Sequence, residues 1–149
     1  MNKEFVMRGQ TASGSTEVLN FSGNTPGYAY RLTEFSLYPS TGIGTSTGEL
    51  CGTVTAGKTA VAPTDPNFND DGLIASTFLR IESQYSTEQP LSITTVNDTF
   101  LVTQDLILMV QDTSVAGAPI NWQARFVAEK MNSSEEAVAN FKQFTIFDD

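Results

Sequence analysis

The segment "PTDPNFNDDG", residues 63–72, sets carboxylates and amides at close spacing ahead of a glycine, the arrangement in which a loop can wrap oxygen ligands round a calcium ion. Registered from Asn67 it reads Asn67-x-Asn69-x-Asp71-Gly72 with Ile74 two residues on, the first half of an EF-hand loop. The second half fails, because the twelfth position, which needs a bidentate glutamate, is Phe78, and no flanking helices are predicted. Starting at Asp65 puts Asp70 where the glycine belongs. The composition explains a turn directly: Pro63 and Pro66 restrict the backbone, Asn and Asp side chains cap their own turns, and Gly72 permits positive φ before the next strand. The metal candidate that remains is a weak, non-EF-hand calcium site built from Asp65, Asp70 and Asp71.

Other chemistry is limited by what the chain lacks. It contains no histidine and one cysteine, Cys51. Ser-His-Asp and Cys-His catalysis need an imidazole to take the nucleophile's proton, and four zinc ligands cannot be assembled from one Cys and no His. No GxxxxGK[ST] phosphate loop occurs, and "GIGTSTGEL" from Gly42 has neither the lysine nor a following helix. Carboxylates such as Glu34, Glu82, Asp105 and Glu129 could in principle hydrolyse a glycoside, but they fall on strands where a solvated face accounts for them. Cys51 has no basic neighbour to lower its pKa and reads as a small packed side chain. No cofactor is expected.

The elements that position these groups follow from composition and periodicity. At 149 residues the chain is most simply one domain, able to bury about 70% of its unfolded surface. Hydrophobic residues make up 40% and charged ones 17%, with abundant Thr and Ser, which favours strands and turns. The net charge of -9 argues against nucleic acid, which needs a basic face, and against an anionic membrane. A single cysteine forms no internal disulfide, and "MNKEFVMRGQT" lacks the apolar run of a signal peptide, so synthesis in a cytosol without export is the expectation.

Strand-length runs separated by turn residues are the pattern of a sandwich or barrel. They are "EFVMRG", "TEVLNFS", "YAYRLTEFSLYP", "GELCGTVTA", "LIASTFLRIESQY", "LSITTV", "TFLVT", "DLILMVQDT" and "PINWQARFVAEKM". In "INWQARFVA", Ile120, Trp122, Ala124, Phe126 and Ala128 alternate with polar or exposed positions, which marks a strand with one face in the core. "LILMV" is continuously apolar and predicts a central strand covered on both faces or one whose outer face meets another subunit. With the turn "DTSVAGAP" between them, the two read as a hairpin from Asp105 to Met131. Ser133 and Glu136 form a capping box for one short C-terminal helix, with Ala137, Val138, Phe141 and Phe144 on one side. Beyond it, Phe144, Ile146 and Phe147 need burial in this subunit or another.

The segment "DLILMVQDTSVAGAPINWQARFVAEKMNSSEEAVANFK" resembles the C-terminal part of small virion structural proteins of bacteriophages. There a hydrophobic strand leads through an Ala/Gly/Pro turn into a strand like "PINWQARFVAE" and then an acidic short helix. The resemblance covers about the last quarter of the chain and implies an antiparallel, jelly-roll-like β-sandwich that packs on or within a capsid as a decoration, cement or minor capsid protein. It carries no catalytic motif. Its implied partners are other copies of the chain, with a trimer as the expected state, and other capsid proteins; its implied location is the virion, after synthesis in the host cytoplasm. Single-domain organisation with extended arms at 1–12 and 144–149 goes with this, and Phe5, Val6, Phe144, Ile146 and Phe147 are the expected assembly contacts. The rival is a β-sandwich carbohydrate-binding or adhesion module displaying aromatics, for which Tyr28, Tyr30, Tyr38, Phe68 and Tyr85 are the candidates.

Overall fold

A computed structural model describes residues 3–21, 27–43, 48–57, 59–82, 91–113 and 118–131. Eight strands account for the regular structure of these residues: β1 (Lys3–Thr11), β2 (Thr16–Leu19), β3 (Tyr28–Pro39), β4 (Gly48–Thr55), β5 (Leu73–Ile81), β6 (Leu91–Val96), β7 (Leu106–Asp112) and β8 (Ile120–Lys130). They form two antiparallel sheets packed face to face, a short one in the order β1-β8-β3 and a long one in the order β2-β7-β4-β5-β6. The expected all-β sandwich is therefore the fold. Its pairings nest: β1 with β8, β2 with β7, and β4 with β5. That nesting is the order of a jelly roll, with one departure. β6 adds to β5 instead of β3, and among the described residues the outer side of β3 meets Val102 alone, in a single bridge to Tyr30.

The core lies between the sheets, where alternation turns every second residue inward. β8 supplies Ile120, Trp122, Ala124, Phe126 and Ala128, as its pattern predicts, against Leu50, Val54, Leu106, Leu108 and Val110 of the long sheet. At one end four rings meet: Phe126 lies 4.9 Å from Phe21 and 5.5 Å from Phe5, and Tyr30 lies 5.0 Å from Phe21. At the other end the Trp122 indole N–H donates to Thr11 Oγ1 at 3.0 Å, and Thr11 donates to Glu17 Oε2. This chain of bonds satisfies the polar edge of a buried ring. Gly9 faces Trp122 across the β1–β8 ladder, and a Cβ there would sit 2.8 Å from the ring, so glycine lets the indole lie against the β1 backbone.

Four expectations are corrected. β7 and β8 do not form a hairpin: β7 lies between β2 and β4, whereas β8 lies between β1 and β3. Each strand has its own apolar face to bury, and both faces are satisfied when the two strands lie in opposite sheets and set Val110 and Ile120 into the core between them. "TFLVT" is not a strand. Phe100 and Val102 drop into the core, and the segment touches a sheet by one bridge, in which Val102 and Tyr30 exchange backbone bonds at 2.8 and 2.9 Å. Gly72 has no positive φ; it is buried, its N–H capped by Asp70 Oδ1 and its carbonyl accepting from Ala56. Residues 3–11, expected in an arm, are the β1 edge of the short sheet. The C-terminal helix and the arm at 144–149 lie outside the described residues.

Candidate functional site

The two outward faces of the sandwich differ in chemistry. On the short sheet, β1, β8 and β3 present Glu4, Arg8, Gln10, Gln123, Arg125, Glu129, Arg31 and Glu34, and cross-strand pairs tie many of these together. Arg125 reaches Glu34 at 3.2 Å and Glu4 at 3.6 Å, Arg31 reaches Glu129 at 2.8 Å, and Gln10 donates to Asn121 at 2.9 Å. These half-exposed pairs contribute at most about 1 kcal/mol each, and they leave the face polar and solvated. Two of the carboxylates considered for glycoside chemistry, Glu34 and Glu129, are engaged in this way. A third, Asp105, accepts the Phe21 N–H at 2.6 Å, which fixes the loop after β2.

The long sheet is the opposite case. β4 turns Leu50 and Val54 inward, so Cys51, Thr53 and Thr55 point out, yet all three are buried. The connection after β4 covers two of them: Thr53 donates to Val61 O at 2.6 Å, and the Val61 N–H donates back to Thr55 Oγ1 at 3.3 Å. On either side of this strap the outward residues are apolar. Ile107 and Met109 of β7 stand opposite Thr55 and Thr53, with Val18 of β2 beside Ile107. Phe78 of β5 stands opposite Cys51 and Ile93 of β6 stands opposite Phe78, with Leu91 two residues along. Val18, Phe78, Leu91 and Ile93 are all exposed. β7's continuous apolar run is thus a strand one from the sheet's edge whose outer face is half-buried.

β6 has the most open position of any strand. Both its inward Ser92 and Thr94 and its outward Leu91, Ile93 and Thr95 are exposed, and only Val96, at its end, is half-buried. Where β5 and β6 meet the loop before them, a cavity of about 260 Å³ is lined by Phe68, Leu73, Ser76, Thr95, Val96 and Asn97. This is below the usual ligand-site range of roughly 300–1,000 Å³ and suits one inserted side chain better than a substrate.

The residues singled out from the sequence are dispersed. Phe5 turns inward to the aromatic cluster, whereas Val6 points out beside Arg125. Phe144, Ile146, Phe147 and Tyr85 lie outside the described residues. Tyr30 is core, Tyr28 and Tyr38 sit at opposite ends of β3, about 33 Å apart along the strand, and Phe68 is on the long-sheet side. They line no common platform. Asp65, Asp70 and Asp71 occupy successive turns in which Asn67 Oδ1 accepts from Asn69 N and Asp70 Oδ1 from Gly72 N, the expected self-capping. Among the described residues no three of His, Cys, Asp or Glu are placed to share a metal ion. The Cys51 thiol, buried and flanked by Glu49 and Asp112, is pushed up to about 11, which makes it a poor nucleophile. The apolar outer face was missed from the sequence. Its signal was there in the uncharged "LSITTV" and in Phe78 and Met109 at outward positions.

Compared with family models, curated proteins and solved structures, the chain matches none.

Proposed function

We propose that the protein is a non-enzymatic structural component that packs on or within a phage capsid, as a decoration, cement or minor capsid protein, through contacts between subunits. The observation that carries the reading is the outer face of the long sheet, where Val18, Phe78, Leu91 and Ile93 lie exposed on a chain of net charge -9. Exposed apolar side chains gathered on one face favour a packing partner. The jelly-roll order of the strands supports the reading by analogy only, since capsid proteins and lectins share that architecture. The resemblance of the β7–β8 region supports the phage setting. In this reading copies of the chain associate, as trimers on three-fold positions, after synthesis in the host cytoplasm, and no cofactor takes part.

Mass spectrometry of purified particles from the source virus tests the proposal. The expected result is the intact chain in stoichiometric amount. Its absence from particles, together with specific binding on a glycan array, would replace the proposal with the adhesion module.

A further inference from the structure

The sandwich has four sheet edges, and three of them are blunted. An open edge is a row of unpaired N–H and C=O groups that accepts any suitable strand, and proteins guard such edges with charge, short length, bulges or cover. β1 carries Lys3, Glu4 and Arg8. β2 is four residues long and includes Glu17. β3 carries Arg31 and Glu34, is bulged after Leu32, and is capped in part by Val102. β6, "LSITTV", has no charge, no proline, no glycine and no bulge, and among the described residues no strand pairs with its outer side.

The phase of its ladder is fixed by the Asn97 N–H, which donates to Ile74 O at 2.8 Å just beyond the last pair. Since hydrogen-bonded pairs alternate in an antiparallel ladder, Leu91, Ile93 and Thr95 turn their backbone groups to β5. The Thr77 hydroxyl donating to Ile93 O agrees with this phase. Ser92, Thr94 and Val96 turn theirs to the open side.

We infer that β6 is a self-recognition edge, pairing antiparallel with β6 of a second copy about a two-fold axis through Ile93. This names a partner for the packing surface and rests on the reading that the protein works by packing. In this register Ser92 faces Thr94 of the second copy, each pair exchanging both of its outward backbone bonds and placing hydroxyl against hydroxyl. On the outer face Ile93 meets its own twin in a close pair, and Leu91 meets Thr95, with Phe78 beside them. A second copy is the fitting occupant because a two-fold contact sets like against like. A chain of net charge -9 can meet itself only over a neutral patch, and β6 is the uncharged edge. Six edge residues bury less than the roughly 1,200 Å² of a stable dimer, so the pairing is weak between free subunits and is reinforced where other contacts hold the subunits together. Two-fold contacts of this kind join trimers without competing with their three-fold axis.

Disulfide trapping tests the register. In a Cys51→Ala background, Ile93→Cys places two thiols in a close cross-strand pair, with Cα atoms about 4.5 Å apart. Thr95→Cys, on the same face, is held about 13 Å from its twin. At high protein concentration under mild oxidation, Ile93→Cys is expected to give covalent dimer at least tenfold faster than Thr95→Cys. Adding Ser92→Pro, which removes an outward N–H and no bond to β5, should abolish trapping without lowering the melting temperature. If Ser92→Pro itself unfolds, Ile93→Lys on the exposed face serves instead: in otherwise wild-type protein it should eliminate the concentration-dependent rise in sedimentation coefficient. Equal trapping at 93 and 95, or trapping that survives Ser92→Pro, overturns the pairing. Such a result with the chain still present in particles sinks the pairing alone, whereas trapping at 93 in a chain absent from particles sinks the virion reading and leaves the pairing.

Discussion

Replacing Gly9 by alanine tests how the short sheet closes over the core. The added Cβ would lie 2.8 Å from Trp122 Cζ2 and 3.1 Å from its Nε1. The first contact is about 0.7 Å inside the roughly 3.5 Å at which carbon atoms pack best, so ring or strand must yield. The ring is not free to move, because its N–H is held by Thr11 Oγ1 at 3.0 Å and Thr11 is in turn held by Glu17. Overpacking of this kind costs about 1–3 kcal/mol, and loss of the indole bond adds about 1 kcal/mol. A total of about 2–4 kcal/mol lowers the melting temperature of a chain this size by roughly 5–15 °C. Trp122 is the sole tryptophan, so its emission reports the site directly while far-UV circular dichroism follows the fold in urea. Trp122→Phe should cost less in the Gly9→Ala background than in the wild type, because the smaller ring leaves room for the methyl, with a coupling of about 1 kcal/mol. Strict additivity, or a Gly9→Ala cost below about 0.5 kcal/mol with unchanged emission, would refute the packing argument.

Phe126→Ala removes the ring shared by Phe5 and Phe21 and should cost about 3–5 kcal/mol in urea denaturation, a large part of the stability of a typical domain. The Cys51 thiol, raised from 9.0 to about 11 by burial first and by Glu49 and Asp112 after it, stays protonated in the fold at pH values where the unfolded chain ionises. Its contribution is intact below pH 9 and is lost as pH rises toward 11, a decline on the order of 2 kcal/mol that should be missing in Cys51→Ala when both proteins are melted across that range. Asp70→Ala should cost about 1 kcal/mol through the lost cap on Gly72 and Asp71→Ala almost nothing, and millimolar calcium should leave both melting temperatures unmoved. A calcium-dependent rise in wild type that vanishes in Asp70→Ala would reinstate the metal site.

What the sequence disclosed was periodic and local. The alternation of β8 named its five inward residues because a strand with one apolar face has a single way to sit on a core. The Asn/Asp turn at 63–72 was legible because its caps span two residues. The placing of β7 and β8 in different sheets was not, since strand, turn and strand is the same string whether the second strand joins the first sheet or crosses to the other. Phe5 was read as an outward contact for a related reason: alternation places it and Val6 on opposite faces but does not say which face meets the core. The burial of Thr53 and Thr55 depends on a strap that folds back from Val61, and hydroxyls in a strand read as solvated until that cover is known. The edge position of β6 is also a tertiary property, because it depends on the order in which the strands pair.

The middle strand of the short sheet is β8, with β1 on one side and β3 on the other, so Lys3 finds its partner in Ala128. During translation, which runs at roughly 5–20 residues per second, β1 and β3 emerge before the strand that both of them pair with, β8. A ribosome that stops before β8 releases a half-sandwich whose core is open along one whole side. Closure of the short sheet therefore waits for β8 and is slow by the measure of sequence separation. A chain cut short before β8 leaves Phe5 and Phe21 without the Phe126 ring that closes their cluster.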